Sequence, residues 1–189
     1  MSRPRVPPGQ HTVELWPVLH VGPTPKFNES LWDFKVFGEV ENPLQFRYRE
    51  FMSLPAARVR TDIHCVTSWS MLDMEWEGVP FKAIAEMARV RPNARHVVAH
   101  CEQGYTTNVP LKDCMRDDVL LAYAVNRAPL EPEHGFPLRL FVPHLYFWKS
   151  AKWLRGLEFS AEDKPGFWEQ RGYHNYGDPW REQRYWGDD

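Results

Sequence analysis

The sequence predicts one strand-rich, loop-rich domain with a few short helices, and three observations carry that reading. Seventeen prolines and an aromatic share of 14% favour strands and turns over a helical bundle. Several segments alternate apolar and polar residues with the period of a strand, and only two short stretches read as helical. The chain's 189 residues, 43% of them apolar, suffice for one substantial core.

Residues 1–10 read as a Pro-rich extended lead-in. Residues 34–37 and 44–48 alternate and flank 38–43, where Asn42-Pro43 is a turn signal. Residues 58–65 form the clearest strand: Val59, Thr61, Ile63 and Cys65 share one face, and Arg58 and Arg60 take the other. Residues 66–70 read as a turn. Phe81, Ile84, Ala85 and Ala88 recur at helical spacing after Pro80, a residue suited to a helix start. Residues 95–101 predict a buried strand, 104–108 a polar loop, 110–115 a short helix, and 138–142 and 153–159 two further strands. No repeat or linker divides the chain. From residue 160 the composition turns to Pro, Gly, aromatics and charge. Trp168, Trp180 and Trp186 are costly to leave in water. The expected organisation is therefore a lead-in over 1–26, a domain over 27–159, and an aromatic tail over 160–189 that packs on it.

A formal charge of −2 gives no basic excess for nucleic acid. No apolar run approaches the roughly 18 residues that span a bilayer. The first residues show neither an apolar export core nor an Arg-Arg pair, so the cytoplasm is the expected compartment. Three cysteines without CxxC spacing do not form a disulfide framework.

Cys65 ends its strand beside Val66-Thr67-Ser68-Trp69-Ser70. A thiol followed by small hydroxylated residues and an aromatic suits a soft metal ligand at a cofactor pocket; the alternative is a buried cysteine acting as a small hydrophobe. Arg139, Lys149 and Lys152 gather around one strand–loop–strand corner. A guanidinium fork, two ammonium charges and the Ser150 hydroxyl could cradle a phosphate, or form a solvated basic face. His64-Cys65 and His100-Cys101 offer a zinc-like donor set, although no close-spaced pair matches a zinc module. The chain shows no Ser-His-Asp order, P-loop or GxGxxG.

These segments together resemble the sulfite oxidase family of molybdopterin-binding oxidoreductases, most closely its short, stand-alone bacterial members. The matching pieces occur in order: Phe27-Asn28-Glu29-Ser30; Phe37-Gly38-Glu39-Val40-Glu41-Asn42-Pro43-Leu44; His64-Cys65-Val66-Thr67-Ser68-Trp69-Ser70; Trp76-Glu77-Gly78-Val79; Gly104-Tyr105-Thr106-Thr107; Glu133-His134-Gly135-Phe136-Pro137-Leu138-Arg139; Lys149-Ser150-Ala151-Lys152-Trp153; and, in the tail, Gly166 to His174. The resemblance runs from about residue 27 to the C-terminus. It implies an α+β fold of sulfite oxidase type, with mixed β-sheets and short helices. It also implies molybdenum held by one molybdopterin and one protein thiolate, at the position of Cys65. Asn28, Thr106, His134, Arg139 and Lys149 match positions that hold the pterin and its phosphate. His64, Trp148, Ser150 and Lys152 complete the expected cofactor contacts, and Thr67 joins Cys65 as a catalytic position.

Departures from the family set the remaining expectations. No haem or dimerisation domain is present. Where exported methionine-sulfoxide-reducing relatives carry Glu two residues after the cysteine, this chain has Thr67. A single basic corner points to a pterin without an appended nucleotide. No CxxCH, flavin-type glycine loop or iron–sulfur spacing appears, so a separate electron-transfer partner is expected beside a small S- or N-containing substrate. Neutral residues beside the thiol lean the reaction towards reduction of S- or N-oxides, with sulfite oxidation as the other direction. The competing classes are a non-catalytic molybdopterin carrier and a zinc-stabilised structural domain.

Overall fold

A computed structural model describes residues 4–189; the first three residues of the expected lead-in lie outside it. In chain order the elements are β1 (His11–Thr12), β2 (Asp33–Gly38), β3 (Leu44–Arg47), α1 (Tyr48–Met52), β4 (Ala57–His64), β5 (Trp69–Pro80) and α2 (Phe81–Ala88). They continue with β6 (His96–Cys101), β7 (Thr106–Pro110), α3 (Leu111–Cys114), β8 (Leu120–Val125), β9 (Ala128–Pro129), β10 (Arg139–Phe141) and β11 (Leu154–Ser160). The strands make two sheets. One runs β1-β5-β8-β10, with β4 added to β5 and β9 to β8; the other runs β3-β2-β11-β6-β7. Each is mixed: β1 lies parallel to β5 and β11 parallel to β2, and the remaining pairs are antiparallel. This is the α+β architecture with mixed sheets and short helices.

The β4–β5 hairpin follows from its alternation. Ile63 turns into the core, while Arg58 and Arg60 face outward opposite Glu77 and Glu75, the Arg58–Glu77 pair closing at 2.7 Å. The turn is shorter than 66–70. Ser68 N donates to the Cys65 carbonyl at 3.0 Å and Cys65 N to the Trp69 carbonyl at 2.9 Å, so Trp69 and Ser70 already belong to β5. Cys65 thus sits at the first position of a tight turn, at the end of the sheet. The helix after Pro80 buries Phe81, Ile84, Ala85 and Ala88 in the core beneath the five-stranded sheet, with Phe34, Val97, Leu157 and Phe159. A second core beneath the other sheet groups Ile63, Cys65, Trp69, Trp76 and Phe141.

The polar stretch expected as a loop over 104–108 is a strand from Thr106 onward, paired to β6 with His100 opposite Thr106 and Val98 opposite Asn108. Its polarity has a use, because β7 is the sheet edge and its side chains receive residues 160–189. Thr107 Oγ1 donates to Glu169 Oε1 at 2.8 Å, and Asn108 Nδ2 reaches Asp163 and Asn175 at 2.7 and 2.9 Å. Phe167 N donates to the Thr106 carbonyl at 2.8 Å. Gly166 permits this contact: a Cβ there would fall 2.3 Å from the Thr106 carbonyl oxygen. The segment's remaining regularity is short 3-10 turns at Glu169–Arg171 and Pro179–Arg181 and a bridge between Tyr173 and Tyr185.

The Lys149–Glu169 ion pair, 2.6 Å long with side-chain exposures of 0% and 1%, joins this segment to the body. Lys149 Nζ also donates to the carbonyls of Asn108 and Asn175, each at 2.7 Å. Removing one partner of such a pair strands the other charge in the interior. Lys149→Met is therefore expected to cost about 3–5 kcal/mol, measured by urea unfolding of the apoprotein; a loss below 1 kcal/mol would show that the segment docks by other means.

Candidate active site

Cys65 opens onto a cavity of about 390 Å³. Its floor comes from the turn after β4 (Cys65, Thr67) and from the 147–153 segment (Phe147, Trp148, Ser150, Lys152, Trp153), with Arg139 of β10 beside them. Phe167, Trp168 and Tyr173 close one side and Trp16, Leu19, His20 and Val21 another. Cys65 is 9% exposed. Burial pushes its thiol pKa up, opposed by the Thr67 hydroxyl and the backbone N–H groups of Thr67 and Val66, with Thr67 Oγ1 3.1 Å from the sulfur.

The cavity's charge is unusual. Arg139 is 1% exposed and has no carboxylate partner among the described residues. Its two terminal nitrogens donate to the carbonyls of His134 and Ser150 at 2.7 and 2.5 Å, its Nε has no partner among the described residues, and the guanidinium lies over the Phe147 ring at 4.2 Å. Burial lowers its pKa to about 9. Lys152 is lowered to about 7 by burial, then by Arg139, and its Nζ donates to the carbonyls of Leu19 and Glu133 at 2.9 and 2.7 Å. His134 stacks on Trp16 at 3.8 Å, and its Nε2 is also unpaired. A buried cation, Arg139, with the half-buried Lys152 beside it and no buried acid between them, is unstable alone and suits an anionic ligand.

The residues expected from sequence distribute unevenly around this cavity. Cys65, Thr67, Arg139, Trp148, Ser150 and Lys152 line it, and His134 stands behind Trp16. Asn28 lies in a smaller cavity of about 200 Å³ that shares Glu102 and Trp153 with the first; its Oδ1 accepts from Ser30 N at 3.0 Å. Three further expected residues, like His134 and Asn28, are not brought to the wall. His64 alternates to the face opposite Cys65, buried, with Nδ1 2.8 Å from Ser70 Oγ. Thr106 is occupied in the β7 edge. Lys149 points into the Glu169 pair, so the basic corner presents Arg139 and Lys152 without it. His64-Cys65 and His100-Cys101 fall in different sheets, and among the described residues no group of three or more His, Cys, Asp or Glu could hold a metal ion.

Sequence reasoning missed the wall given by residues 16–22, where Trp16 was a visible signal, and the part taken by Tyr173, which lay in the family-like stretch Gly166 to His174 without being singled out. The Tyr173 hydroxyl has no hydrogen-bond partner among the described residues, and its ring edges onto Trp148 at 5.2 Å. Trp148 itself is fixed by its Nε1–Glu169 bond of 2.8 Å and by Gly177, whose Cβ would come 2.8 Å from the indole.

A soft sulfur donor, a buried guanidinium without an acid partner and orphaned polar nitrogens around one cavity fit a bound group that combines a thiophilic metal with an anion. The chain belongs to the family of the oxidoreductase molybdopterin binding domain, which matches residues 21–168. It is a molybdopterin-dependent oxidoreductase of the sulfite oxidase-like kind, with molybdenum and molybdopterin as cofactor. The match starts earlier than residue 27 and stops before Tyr173. Over 182 residues the chain is 50% identical to the "Uncharacterized oxidoreductase YuiH" of Bacillus subtilis (strain 168), covering 96% of this chain and 92% of that protein. It is 27% identical over 168 residues to the protein-methionine-sulfoxide reductase catalytic subunit MsrP of Campylobacter jejuni, covering 80% of this chain and 56% of that one. The chain thus spans nearly all of the first relative and little more than half of the second. The sulfane dehydrogenase SoxCD of Paracoccus pantotrophus shares the fold, with a TM-score of 0.67 at 24% identity over 74% of this chain and 40% of that one. Among the described residues no helix is long and apolar enough to cross a membrane.

Proposed function

We propose that the chain reduces small neutral S- or N-oxides at the Cys65 end of the cavity, with electrons supplied by a separate protein. The observation that carries this reading is the charge distribution. The buried Arg139 cation, with the half-buried Lys152 beside it, is balanced once an anionic pterin phosphate is in place. Apart from Lys152, whose charge reaches the thiol, the cavity residues Thr67, Trp148, Phe167, Trp168 and Tyr173 are uncharged. The nearby acid Glu102 pairs with Arg155 at 2.5 Å. A dianion such as sulfite needs converging free cations, whereas a dipolar oxide needs a hydrogen-bond donor and apolar faces.

In this reading Cys65 ligates the metal, and Arg139 and Lys152 hold the anionic end of the pterin, with His134 beside them. Bound there, the molybdenum cofactor supplies two-electron redox chemistry coupled to oxygen-atom transfer. Thr67 donates its hydroxyl hydrogen towards the Cys65 sulfur and so lowers the thiolate's electron density. Phe167, Trp168 and Trp148 exclude water and pack the substrate's apolar substituents. Tyr173 donates its unshared hydroxyl hydrogen to the substrate oxygen. Asn28 contributes only if the pterin extends into the smaller cavity. The absence of haem, flavin and iron–sulfur motifs from the sequence supports an external electron donor.

The test is a pair of steady-state assays on molybdenum-replete protein: a sulfoxide and amine-oxide panel with a reduced dye, and sulfite with an artificial acceptor. Turnover in the first and little in the second is expected. Tyr173→Phe should lower kcat on the oxide about tenfold, the value of one hydrogen bond. Efficient sulfite turnover with none on the oxide panel would reverse the assignment.

A further inference from the structure

We propose that Arg184 and Gln10, from opposite ends of the chain, are positioning residues for the Cys65 thiol. The inference rests on the reading of Cys65 as the molybdenum ligand and concerns how the protein holds it. The 65–68 turn carries Ser68 at a left-handed φ of 74° and lies at the end of the sheet, where β1 reaches only the Ser68 carbonyl. Donors from the two chain ends take that place. Gln10 Nε2 donates to the Cys65 carbonyl at 2.9 Å. Arg184 Nη1 donates to the Val66 carbonyl at 2.5 Å. His11 N donates to the Ser68 carbonyl at 2.9 Å. The peptide planes that follow the thiol, 65–66, 66–67 and 68–69, are thereby held from outside the turn.

The two clamps meet behind the loop. Arg184 Nη2 reaches the Pro8 carbonyl at 3.5 Å, and a Cβ on Gly9 would lie 3.0 Å from the same nitrogen. The guanidinium lies over the Tyr146 ring at 5.0 Å, and the Gln10 side chain sits against the Tyr146 hydroxyl, so one ring backs both donors. The Arg184 guanidinium stands 3.9 Å from the Glu182 carboxylate. The fork is directed at backbone carbonyls, where its planar geometry fixes orientation. Arg184 is anchored in turn: His174 N donates to its carbonyl at 3.0 Å, and its own N–H donates to Asp188 at 2.9 Å. Because Tyr173 precedes His174 and lines the cavity, the same residue ties the thiol loop to the wall across from it. A misplaced ligand changes the metal's electronic structure even where the fold survives.

The test has an apo arm and a holo arm. In apoprotein, the rate of Cys65 alkylation by iodoacetamide is followed by mass spectrometry, with the buried Cys101 and Cys114 as internal controls. Arg184→Ala and Gln10→Ala are each expected to raise the Cys65 rate about fivefold, the value of one hydrogen bond, with the control cysteines unchanged. Arg184→Lys, which keeps one donor, should fall between. In holoprotein, Arg184→Ala should shift the molybdenum–thiolate absorption band and lower kcat more than it changes KM, at unchanged molybdenum content. Should Arg184→Ala not fold, Gln10→Ala and Arg184→Lys carry both arms. A lower melting temperature with the Cys65 alkylation rate and the band unchanged would overturn the proposal. A wild-type band that survives Cys65→Ser would instead overturn the ligand reading, and alkylation alone would then decide the clamp.

Discussion

Cys65→Ser is expected to give a folded chain that still binds the pterin and to lower turnover by on the order of 10²-fold or more. The magnitude follows from position. Residues that merely orient a metal ligand cost up to about 100-fold when removed, so losing the ligand itself costs at least that much. A hydroxyl is also a harder, weaker donor to molybdenum than a thiolate. Stability is spared for a local reason. The new hydroxyl would stand where the sulfur now lies 3.1 Å from Thr67 Oγ1, so it acquires a partner rather than becoming a buried orphan. The pterin is spared because Arg139 and Lys152 reach the cavity from other elements. Turnover, pterin fluorescence after acid release, and the urea midpoint are measured on one preparation. Wild-type turnover in the variant would remove Cys65 from the chemistry.

Arg139→Met should act in the opposite sense, with little change to the apoprotein and a large loss of cofactor. In the apoprotein the substitution forfeits two hydrogen bonds to carbonyls, about 1–3 kcal/mol in all. It also removes a fully buried cation that no carboxylate offsets, whose desolvation costs several kcal/mol. These terms oppose each other, so the apo melting temperature should move by only a few degrees. With the cofactor bound, the same guanidinium offers charge-assisted bonds to an anion, each worth roughly 1.5–3 kcal/mol. Their loss should weaken retention about 10²-fold, read as the rate at which molybdenum and pterin leave during dialysis. Full retention would place the anion elsewhere in the cavity.

Much of the fold was legible because the relevant strands have one wet face. β2, β3 and β4 alternate, and their turns carry Pro or small residues, so each was placed within a residue or two. β8 escaped because Leu120, Leu121 and Ala122 are all buried, and a strand covered on both faces has no alternation to detect. β5 escaped because its charged positions Glu75 and Glu77 find their partners only when β4 places Arg60 and Arg58 opposite them. The polarity of β7 was misread because its partners, Asp163, Glu169 and Asn175, lie more than fifty residues on.

The site divides along the same line. Cys65 and Thr67 were legible from a strand end followed by a turn, and Arg139 and Lys152 from their corner. His64 shows why adjacency misleads: successive strand residues face opposite ways, so the neighbour of a cavity residue is turned from the cavity. Lys149 shows the same for charge, since sequence counts a cation but cannot see that Glu169 occupies it. Trp16 and Arg184 reach the site only through tertiary contacts between the chain ends and its centre, which no local pattern encodes, and Tyr173 lay in a family-like stretch that did not show its place in the wall.

The central claim is that Cys65 binds molybdenum in a cavity built for one molybdopterin. X-ray absorption at the molybdenum edge, on wild-type and Cys65→Ser holoprotein, tests it most directly by counting sulfur neighbours of the metal. The wild type should show the dithiolene sulfurs together with a thiolate, and the variant one fewer sulfur with the pterin retained. An identical sulfur shell in the two proteins would contradict the account.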